Sequence, residues 1–270
     1  MLDDSRIGVI GAGNMGGGLI AGWVNHGGIT AVQIAATDPI TAALEPLAAL
    51  GVTTTDDLAA AVDGRDVVLV AVKPQTAPQL LGALAPLLTA DQLVISIMAG
   101  VTTAAIEESL GTAVPVVRAM PQMLARFGVA ASAVCAGATA TPEHLEAARA
   151  LFALVGTAVA VPESQMDAVT GLAGSGPAYV YAIIEALTDG GVRVGLTRET
   201  AAQLAAQTVA GAGRMALESE LHPAQLKGQV TSPGGTTIAG LHTLEEKGLR
   251  DALMSAVKAA TERSVELGTQ

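Results

Sequence analysis

The sequence predicts a doubly wound α/β domain over residues 1–162, followed by an all-helical domain over residues 163–270. In the first part, short apolar runs alternate with Ala/Leu segments of helical spacing. These runs are apolar throughout, as expected for a parallel sheet that is covered by helices on both faces. After Pro162 no convincing strand pattern follows. A chain of 270 residues is also long enough for two domains that each bury a core.

The elements of the first domain follow from these runs. Strands are predicted at residues 7–10, 32–36, 52–54, 67–72, 93–97, 114–117 and 157–161. Helices are predicted between them at residues 15–26, 42–50, 57–62, 77–88, 103–110 and 142–154. Thr141 and Pro142 form an N-cap and N1 pair, which defines the start of the last of these helices.

The second domain is predicted to be helical at residues 166–172, 177–189, 198–217, 223–230, 236–246 and 249–267. Gly190, Gly191 and Gly195 are expected to separate the second of these helices from the third, which Thr197 caps. Alanine or glycine occupies nearly every face of residues 201–215, which predicts a helix buried on several sides. A core of such small side chains favours burying further surface by oligomerisation.

Composition excludes several classes of function. Acidic residues exceed basic residues by 25 − 14 = 11, and no cluster of Lys and Arg is available to neutralise nucleic-acid phosphates. A single cysteine excludes a disulfide framework and cysteine-based zinc sites, and it fits a reducing cytoplasm. The apolar runs have the length of strands and fall short of the roughly 20 residues of a membrane-spanning helix. We expect a cytoplasmic protein that binds a small molecule and neither nucleic acid nor membrane.

A glycine-rich motif after the first strand indicates a dinucleotide site. Gly11-Ala12-Gly13-Asn14-Met15-Gly16 is a G-x-G-x-x-G that opens a helix. Gly11 permits a tight turn, Gly13 lets a pyrophosphate reach backbone N–H groups, and Gly16 lets the helix pack on the strand. In a glycine-rich chain, the alternative is a turn that binds no ligand.

Asp38 ends the second predicted strand, 38 − 16 = 22 residues after the motif. A carboxylate there accepts hydrogen bonds from adenosine ribose hydroxyls and repels a 2′-phosphate, which favours NADH over NADPH. The alternative role for Asp38 is an N-cap or a turn former before Pro39.

Two further segments end strands at the carboxyl edge of the sheet, where open α/β sheets bind ligands. Ala71, Val72, Lys73 and Pro74 end the fourth strand, and Lys73 either meets a cofactor phosphate or is solvated. Ile97, Met98 and Ala99 end the fifth strand, where small residues allow a nicotinamide ring to lie close to the backbone.

The helical domain contains two segments rich in Gly, Ser, Thr and Pro, at residues 171–179 and 229–237. Each is predicted to be a loop that leads into a helix. The second offers hydroxyl and backbone N–H groups together, a combination that suits a small carboxylate. A capped helix start with turn glycines accounts for the same residues, and the residues alone leave both interpretations open.

Several motifs together resemble those of the pyrroline-5-carboxylate reductase family over nearly the whole chain. The least specific is the G-x-G-x-x-G, and the most specific is Val230-Thr231-Ser232-Pro233-Gly234-Gly235-Thr236-Thr237, within a stretch from Lys227 to Glu245. The others are Ala71-Val72-Lys73-Pro74-Gln75, Ser96-Ile97-Met98-Ala99-Gly100-Val101 and Gly174-Ser175-Gly176-Pro177-Ala178-Tyr179.

The resemblance implies a Rossmann domain followed by a helical dimerisation domain, with dimers that often assemble into decamers. It implies an enzyme that reduces 1-pyrroline-5-carboxylate to L-proline, the last step of proline biosynthesis, with NADPH or NADH. The substrate would lie where the residue 232–237 loop approaches the cofactor across the dimer interface. The implied substrate-binding residues are Val230, Ser232, Gly235, Thr236 and Thr237. The implied cofactor-binding residues are Gly11, Ala12, Gly13, Asn14, Met15, Gly16, Asp38, Ala71, Val72, Lys73, Pro74, Ile97, Met98 and Ala99.

The chain departs from the family pattern at three places. Met120-Pro121-Gln122-Met123-Leu124 stands where the family usually has Met-Pro-Asn-Thr-Pro, so the fit of this loop is altered. Many members have Ser or Arg near Asp38 to hold a 2′-phosphate, and many have Asn near Leu58. The last two differences put the usual NADPH preference in question.

The reaction needs little side-chain chemistry, since the cofactor supplies the hydride and the protein positions the imine. Thr237 is the expected catalytic residue, because its hydroxyl would orient the protonated ring nitrogen. The four histidines form no metal-binding H-E-x-x-H pattern, and Cys135 is expected to be an inert buried thiol.

Two other functions compete. The first is a β-hydroxyacid dehydrogenase, and members of that family resemble one another in a lysine on the first helices of the second domain. No lysine occurs between Lys73 and Lys227 in this chain, which argues against that function. A nucleotide-sensing protein would bind NAD(P)H without oxidising it.

Overall fold

The structure, a computed structural model, describes residues 5–111 and 113–268. The chain divides into two compact units. Unit 1 comprises Met1–Gly174 with Ala260–Gln270, and unit 2 comprises Ser175–Ala259.

Unit 1 is an eight-stranded sheet covered by helices. Its strands are β1 (Ile7–Ile10), β2 (Ile34–Thr37), β3 (Thr53–Thr55), β4 (Val67–Val70), β5 (Leu93–Ser96), β6 (Val116–Met120), β7 (Ala130–Ala136) and β8 (Gly156–Ala160). Its helices are α1 (Asn14–Asn25), α2 (Thr41–Ala49), α3 (Leu58–Val62), α4 (Ala77–Leu84), α5 (Thr103–Leu110), α6 (Pro142–Ala153) and α7 (Met166–Val169).

The strand order is β3-β2-β1-β4-β5-β6-β7-β8. All neighbouring pairs are parallel except β6 with β7, which is antiparallel. The order reverses between β1 and β4, and a doubly wound sheet binds its ligands outside the carboxyl ends of the strands at such a reversal. The predicted doubly wound α/β class is confirmed.

Alternate side chains of the central strands enter two separate hydrophobic cores. In β4, Val67 and Leu69 belong to one core, and Val68 and Val70 belong to the other. All four are buried, which explains why these strands read as continuous apolar runs. Trp23 of α1 anchors the first core, where its indole N–H donates to the Leu151 carbonyl oxygen at 3.0 Å.

The region after β8 is helical in the residues described, as predicted. After α7, it comprises α8 (Gly176–Arg193), α9 (Arg198–Glu218), α10 (Pro223–Gln229), α11 (Thr236–Glu246) and α12 (Leu249–Gly268).

Several predictions about the elements were wrong. Strand β7 was not predicted, and the strand predicted at 114–117 begins at Val116 and continues to Met120. The start of the strand predicted at 32–36 is a 3-10 turn, Ala31–Gln33. The helix predicted at 166–172 changes to a π-helix at Thr170–Gly174.

The helical region also differs in detail from its prediction. Helix α8 runs through Gly190 and Gly191, which were expected to end it. In the single chain, α9 buries only Ala201 and Ala205. The prediction that this helix is buried on several sides is therefore wrong for the single chain.

Candidate active site

The loop between β1 and α1 has the conformation that a dinucleotide turn needs. Gly11 has a φ of +101°, and a Cβ atom there would overlap the carbonyl oxygen of Ala71. A Cβ atom at Gly16 would overlap the carbonyl oxygen of Gly11. Glycine is therefore required at both positions, at Gly11 for the backbone conformation and at Gly16 for close packing of α1.

Gly13 differs from these two glycines because it faces open space. No heavy atom lies within 4 Å of the position that its Cβ atom would occupy, and the residue is exposed. It is the N-cap of α1 and provides no side-chain cap. The first N–H groups of a helix have no intrahelical partner and form the positive end of its dipole. The loop thus presents the amides of Asn14 and Met15 to an anion, as a pyrophosphate site requires.

The Asp38 carboxylate is fixed against this loop. Its Oδ2 accepts a hydrogen bond from the Ala12 N–H at 2.7 Å, and its Oδ1 accepts one from the Ile40 N–H at 2.8 Å. The second bond makes Asp38 a turn former, as one alternative predicted, but the N-cap of α2 is Ile40. The Ala12 N–H therefore points to Asp38 and not to a phosphate.

The segments after β4 and β5 continue the sheet edge beside Gly11. The Ala71 N–H donates to the Ile10 carbonyl oxygen at 2.8 Å, and the Ile97 N–H donates to the Val70 carbonyl oxygen at 3.0 Å. The Lys73 side chain is exposed. Met98 is 1% exposed and belongs to the second hydrophobic core, so its side chain faces away from solvent. Unit 1 thus brings the predicted cofactor residues together at one edge.

The altered segment after β6 has a structural role of its own. Gln122 is 8% exposed, its Oε1 accepts from the Ala131 N–H at 3.0 Å, and its Nε2 donates to the Ala173 carbonyl oxygen. The side chain therefore connects the start of β7 to the π-helical turn. This turn immediately precedes the Gly174-Ser175-Gly176-Pro177 motif.

A partly buried ionic cluster fixes the loop that follows β5. Glu163 accepts two hydrogen bonds from Thr103 at the start of α5, from its N–H and its hydroxyl, both at 2.7 Å. Arg118, which is 5% exposed, lies 3.3 Å from the same carboxylate. Sequence analysis did not find this cluster, because its members are 45 and 60 residues from Glu163 and form no local motif.

Cys135 lies in a small core with Met166 beside that cluster. Burial, together with the negative charge of Glu163, raises the pKa of its thiol to about 11. At neutral pH the sulfur is therefore a protonated thiol with little nucleophilicity, in agreement with the predicted inert role.

In unit 2, the predicted substrate residues form a turn that leads into α11. Gly234 has a φ of +67°, and the Gly235 N–H donates to the Ser232 carbonyl oxygen at 3.1 Å. Helix α11 begins at Thr236 with Gly235 as a N-cap that makes no side-chain hydrogen bond. The amides of its first turn are therefore available to a carboxylate.

Residues within 227–245, the stretch with the most specific family resemblance, line one groove. A groove of about 460 Å³ lies between α10 and α11. Its lining includes Lys227, Thr231, Ile238, His242 and Glu245. The Thr231 hydroxyl donates to the Lys227 carbonyl oxygen at 2.7 Å, which ties the turn to α10.

Within residues 5–111 and 113–268, no group of three or more His, Cys, Asp or Glu side chains has the arrangement of a metal site. No helix in this part of the chain is long and apolar enough to cross a membrane.

Comparison with known proteins gives matches over the whole chain. Residues 163–267 match the family described as pyrroline-5-carboxylate reductase dimerisation, and residues 6–100 match the family described as NADP oxidoreductase coenzyme F420-dependent. The chain is 50% identical to the pyrroline-5-carboxylate reductase of Methanosarcina acetivorans, over 99% of each chain.

Solved structures give the same result. A pyrroline-5-carboxylate reductase of Coxiella burnetii is 38% identical, with a TM-score of 0.92 over 98% of this chain and 99% of that one. The Plasmodium falciparum pyrroline carboxylate reductase, solved with NADP bound, is 30% identical, with a TM-score of 0.86 over 99% of this chain and 100% of that one.

Proposed function

The chain belongs to the pyrroline-5-carboxylate reductase family, and we propose that it reduces 1-pyrroline-5-carboxylate to L-proline with NADH or NADPH. The observation that carries this proposal is the 50% identity to a reductase of that name over 99% of both chains. The nucleotide turn in unit 1 and the anion-binding turn in unit 2 are the two halves that such a reaction requires.

The residues of unit 1 fit a dinucleotide. The first amides of α1, at Asn14 and Met15, would hold the pyrophosphate next to the open Gly13. Residues 71–74 and 97–99, which follow β4 and β5, would hold the nicotinamide half. When bound, the reduced cofactor supplies the hydride that is transferred to C5 of the imine.

Residues of the α11 turn bind the substrate. The amides of Thr236 and Thr237 hold its carboxylate at the positive end of the helix dipole, beside Gly235, whose own N–H closes the turn on Ser232. Val230 and Ser232 line the pocket. The Thr237 hydroxyl orients the protonated ring nitrogen, whose positive charge makes C5 electrophilic, and this orientation makes Thr237 the catalytic residue.

The protein acts as an oligomer in the cytoplasm. The exposed apolar side chains of unit 2 are covered by a second copy of the chain, and the dimers assemble further into decamers.

The first experiment follows NADH and NADPH oxidation at 340 nm with racemic pyrroline-5-carboxylate. We expect oxidation that depends on the imine and yields proline by amino-acid analysis. Binding of NADH without any imine-dependent oxidation would overturn the proposed reaction and favour a nucleotide sensor.

The role of Thr237 is tested by removing the hydroxyl at constant shape. We expect Thr237→Val to lower kcat/KM for the imine by roughly 10- to 100-fold, since one substrate hydrogen bond to a charged group is lost. Thr237→Ser should recover most of the activity. Thr243→Val on the same helix is the control, because the Thr243 hydroxyl donates to the Ala239 carbonyl oxygen at 3.3 Å within α11. Normal kinetics of Thr237→Val would remove Thr237 from the mechanism.

A further inference from the structure

We propose that this enzyme uses NADH in preference to NADPH and that Asp38 determines the preference. The inference rests on the proposed function for the reaction that is assayed, but its binding test needs no substrate. Family membership does not settle the point, since the Plasmodium falciparum relative was solved with NADP bound.

The preference follows first from where Asp38 lies in the sheet. It directly follows β2, which neighbours β1, so it lies beside the glycine-rich turn at the carboxyl edge. In a doubly wound dinucleotide fold, the adenosine ribose lies at this point. The carboxylate is therefore next to the 2′ position, where NADH has a hydroxyl and NADPH has a phosphate.

The Asp38 carboxylate is also held in a fixed orientation. The Ala12 and Ile40 amides donate to its two oxygens at 2.7 and 2.8 Å. Hydrogen bonds from two backbone amides fix the orientation of the carboxylate. Each oxygen keeps a second lone pair, which can accept a hydrogen bond from a ribose hydroxyl.

The segment of sequence around Asp38 also lacks basic residues. Residues 7–64, which extend from β1 to α3, contain no lysine and no arginine. Arg6 and Arg65 flank this segment, and they precede β1 and β4 at the opposite edge of the sheet. The one histidine, His26, follows the C-terminal end of α1, away from the turn.

Lys73 lies at the same carboxyl edge as Asp38, but too far from Asp38 to pair with a 2′-phosphate there. It follows β4, and two strand spacings, about 10 Å, separate β4 from β2 in the order β2-β1-β4. Its position suits the pyrophosphate or the nicotinamide half. In unit 1, a 2′-phosphate beside Asp38 would thus meet a fixed negative charge and no basic partner from this segment.

Repulsion between the two charges predicts the preference. A phosphate monoester carries nearly two negative charges at pH 7, and the Asp38 carboxylate adds a third. We expect kcat/KM to be at least about tenfold higher with NADH than with NADPH at 0.15 M salt, and the ratio to fall as salt screens the charges.

The decisive experiment compares binding and turnover for the two cofactors. NADH and NADPH are titrated separately by fluorescence without imine, and kcat/KM is then measured for each with pyrroline-5-carboxylate. Tighter binding of NADH combined with no turnover would sustain the preference and reject the proposed reaction. Equal or tighter binding of NADPH to the unaltered protein would reject the preference, whatever the turnover.

Variants assign the effect to Asp38. Asp38→Asn keeps the shape and removes the charge, and we expect it to bring the NADH/NADPH ratio of Kd values at least about fivefold closer to one. Asp38→Ser with Ile40→Arg, at a side chain that is 65% exposed, should favour NADPH. Asp63→Asn is the control, because it removes one exposed carboxylate after α3 and should leave the ratio unchanged.

Thermal denaturation of each variant separates a folding defect from a change of specificity. A stable, folded Asp38→Asn protein with the original ratio of Kd values would show that Asp38 does not determine the preference. The comparison in the unaltered enzyme needs no variant and stays decisive if Asp38→Asn fails to fold.

Discussion

The two units of the chain differ sharply in how much of their apolar surface they bury. In unit 1, strands such as β1 and β4 are buried along their whole length between two cores. In unit 2, the buried residues among those described are Thr188, Ala201 and Ala205. Leucines such as Leu187 and Leu204 are 49% and 55% exposed. Unit 1 therefore has the interior of a domain, whereas unit 2 has the surface of an interface.

This difference extends to the two candidate binding turns. The nucleotide turn is held by contacts within unit 1, from Gly16 beneath Gly11 to the hydrogen bond between Ala12 and Asp38. The α11 turn contains the exposed residues Ser232 and Thr236, and it borders Val230, which is 64% exposed. Under the proposed function, we therefore expect a single chain to bind the cofactor, and the substrate site to depend on the association that covers unit 2.

The largest predicted effect comes from adding a charge to the apolar surface of unit 2. Leu204 lines a hollow between α8 and α9 with Leu187 and Leu196. We expect Leu204→Glu to raise the dimer dissociation constant by at least about 100-fold, since an unpaired carboxylate would be buried among apolar groups. Imine reduction should be lost while NADH affinity stays within about threefold. Sedimentation velocity and fluorescence titration measure these two quantities.

Val32→Glu is the matched control for this experiment. Val32 is 77% exposed in unit 1, against 55% for Leu204, so the same charge is added to an exposed apolar side chain outside unit 2. It should leave both association and activity unchanged. If the two variants behave alike, the distinction between the units is wrong.

The next effect breaks the nucleotide turn and leaves association intact. We expect Gly16→Ala to weaken NADH binding by about 10- to 100-fold, because the new methyl group forces α1 away from the Gly11 carbonyl oxygen. Gly18→Ala, two residues later on α1 with open space around it, should bind NADH normally and raise helix stability by up to about 1 kcal/mol. Fluorescence titration gives the affinity, and sedimentation should show dimers for both. Unchanged NADH binding by Gly16→Ala would mean that this close packing does not support the site.

Sequence reasoning succeeded where the determinants are local. The glycine motif and Asp38 are separated by one helix and one strand, and each has a backbone role that its residue type reveals. Strand β7 was missed because Ala130–Ala136 contains one β-branched residue, Val134. Its pairing with β6 on one side and β8 on the other defines it as a strand, and such long-range contacts leave no local pattern.

The glycines of α8 also show that a local sequence pattern does not reveal long-range packing. Gly190 and Gly191 resemble a helix end, but α8 continues to Arg193. A Cβ atom at Gly191 would lie 2.9 Å from the Ala201 Cβ atom of α9. The glycine therefore serves close packing of two helices, which only the tertiary structure reveals.

The smallest predicted effect concerns the residue at which the chain departs from its family. Gln122→Asn introduces the amide that the family usually has there, but its side chain is one methylene shorter and cannot reach both Ala131 and Ala173. We expect the free energy of unfolding to fall by about 1 kcal/mol, because one buried backbone group loses its partner. Urea denaturation measures the change, and Gln203→Asn, on the exposed surface of α9, should alter it by less than about 0.5 kcal/mol. Since the lost bond lies in unit 1, the dimer dissociation constant should not change. A Gln122→Asn protein as stable as the original would mean that the bridge between β7 and the π-helical turn contributes nothing to the stability of unit 1.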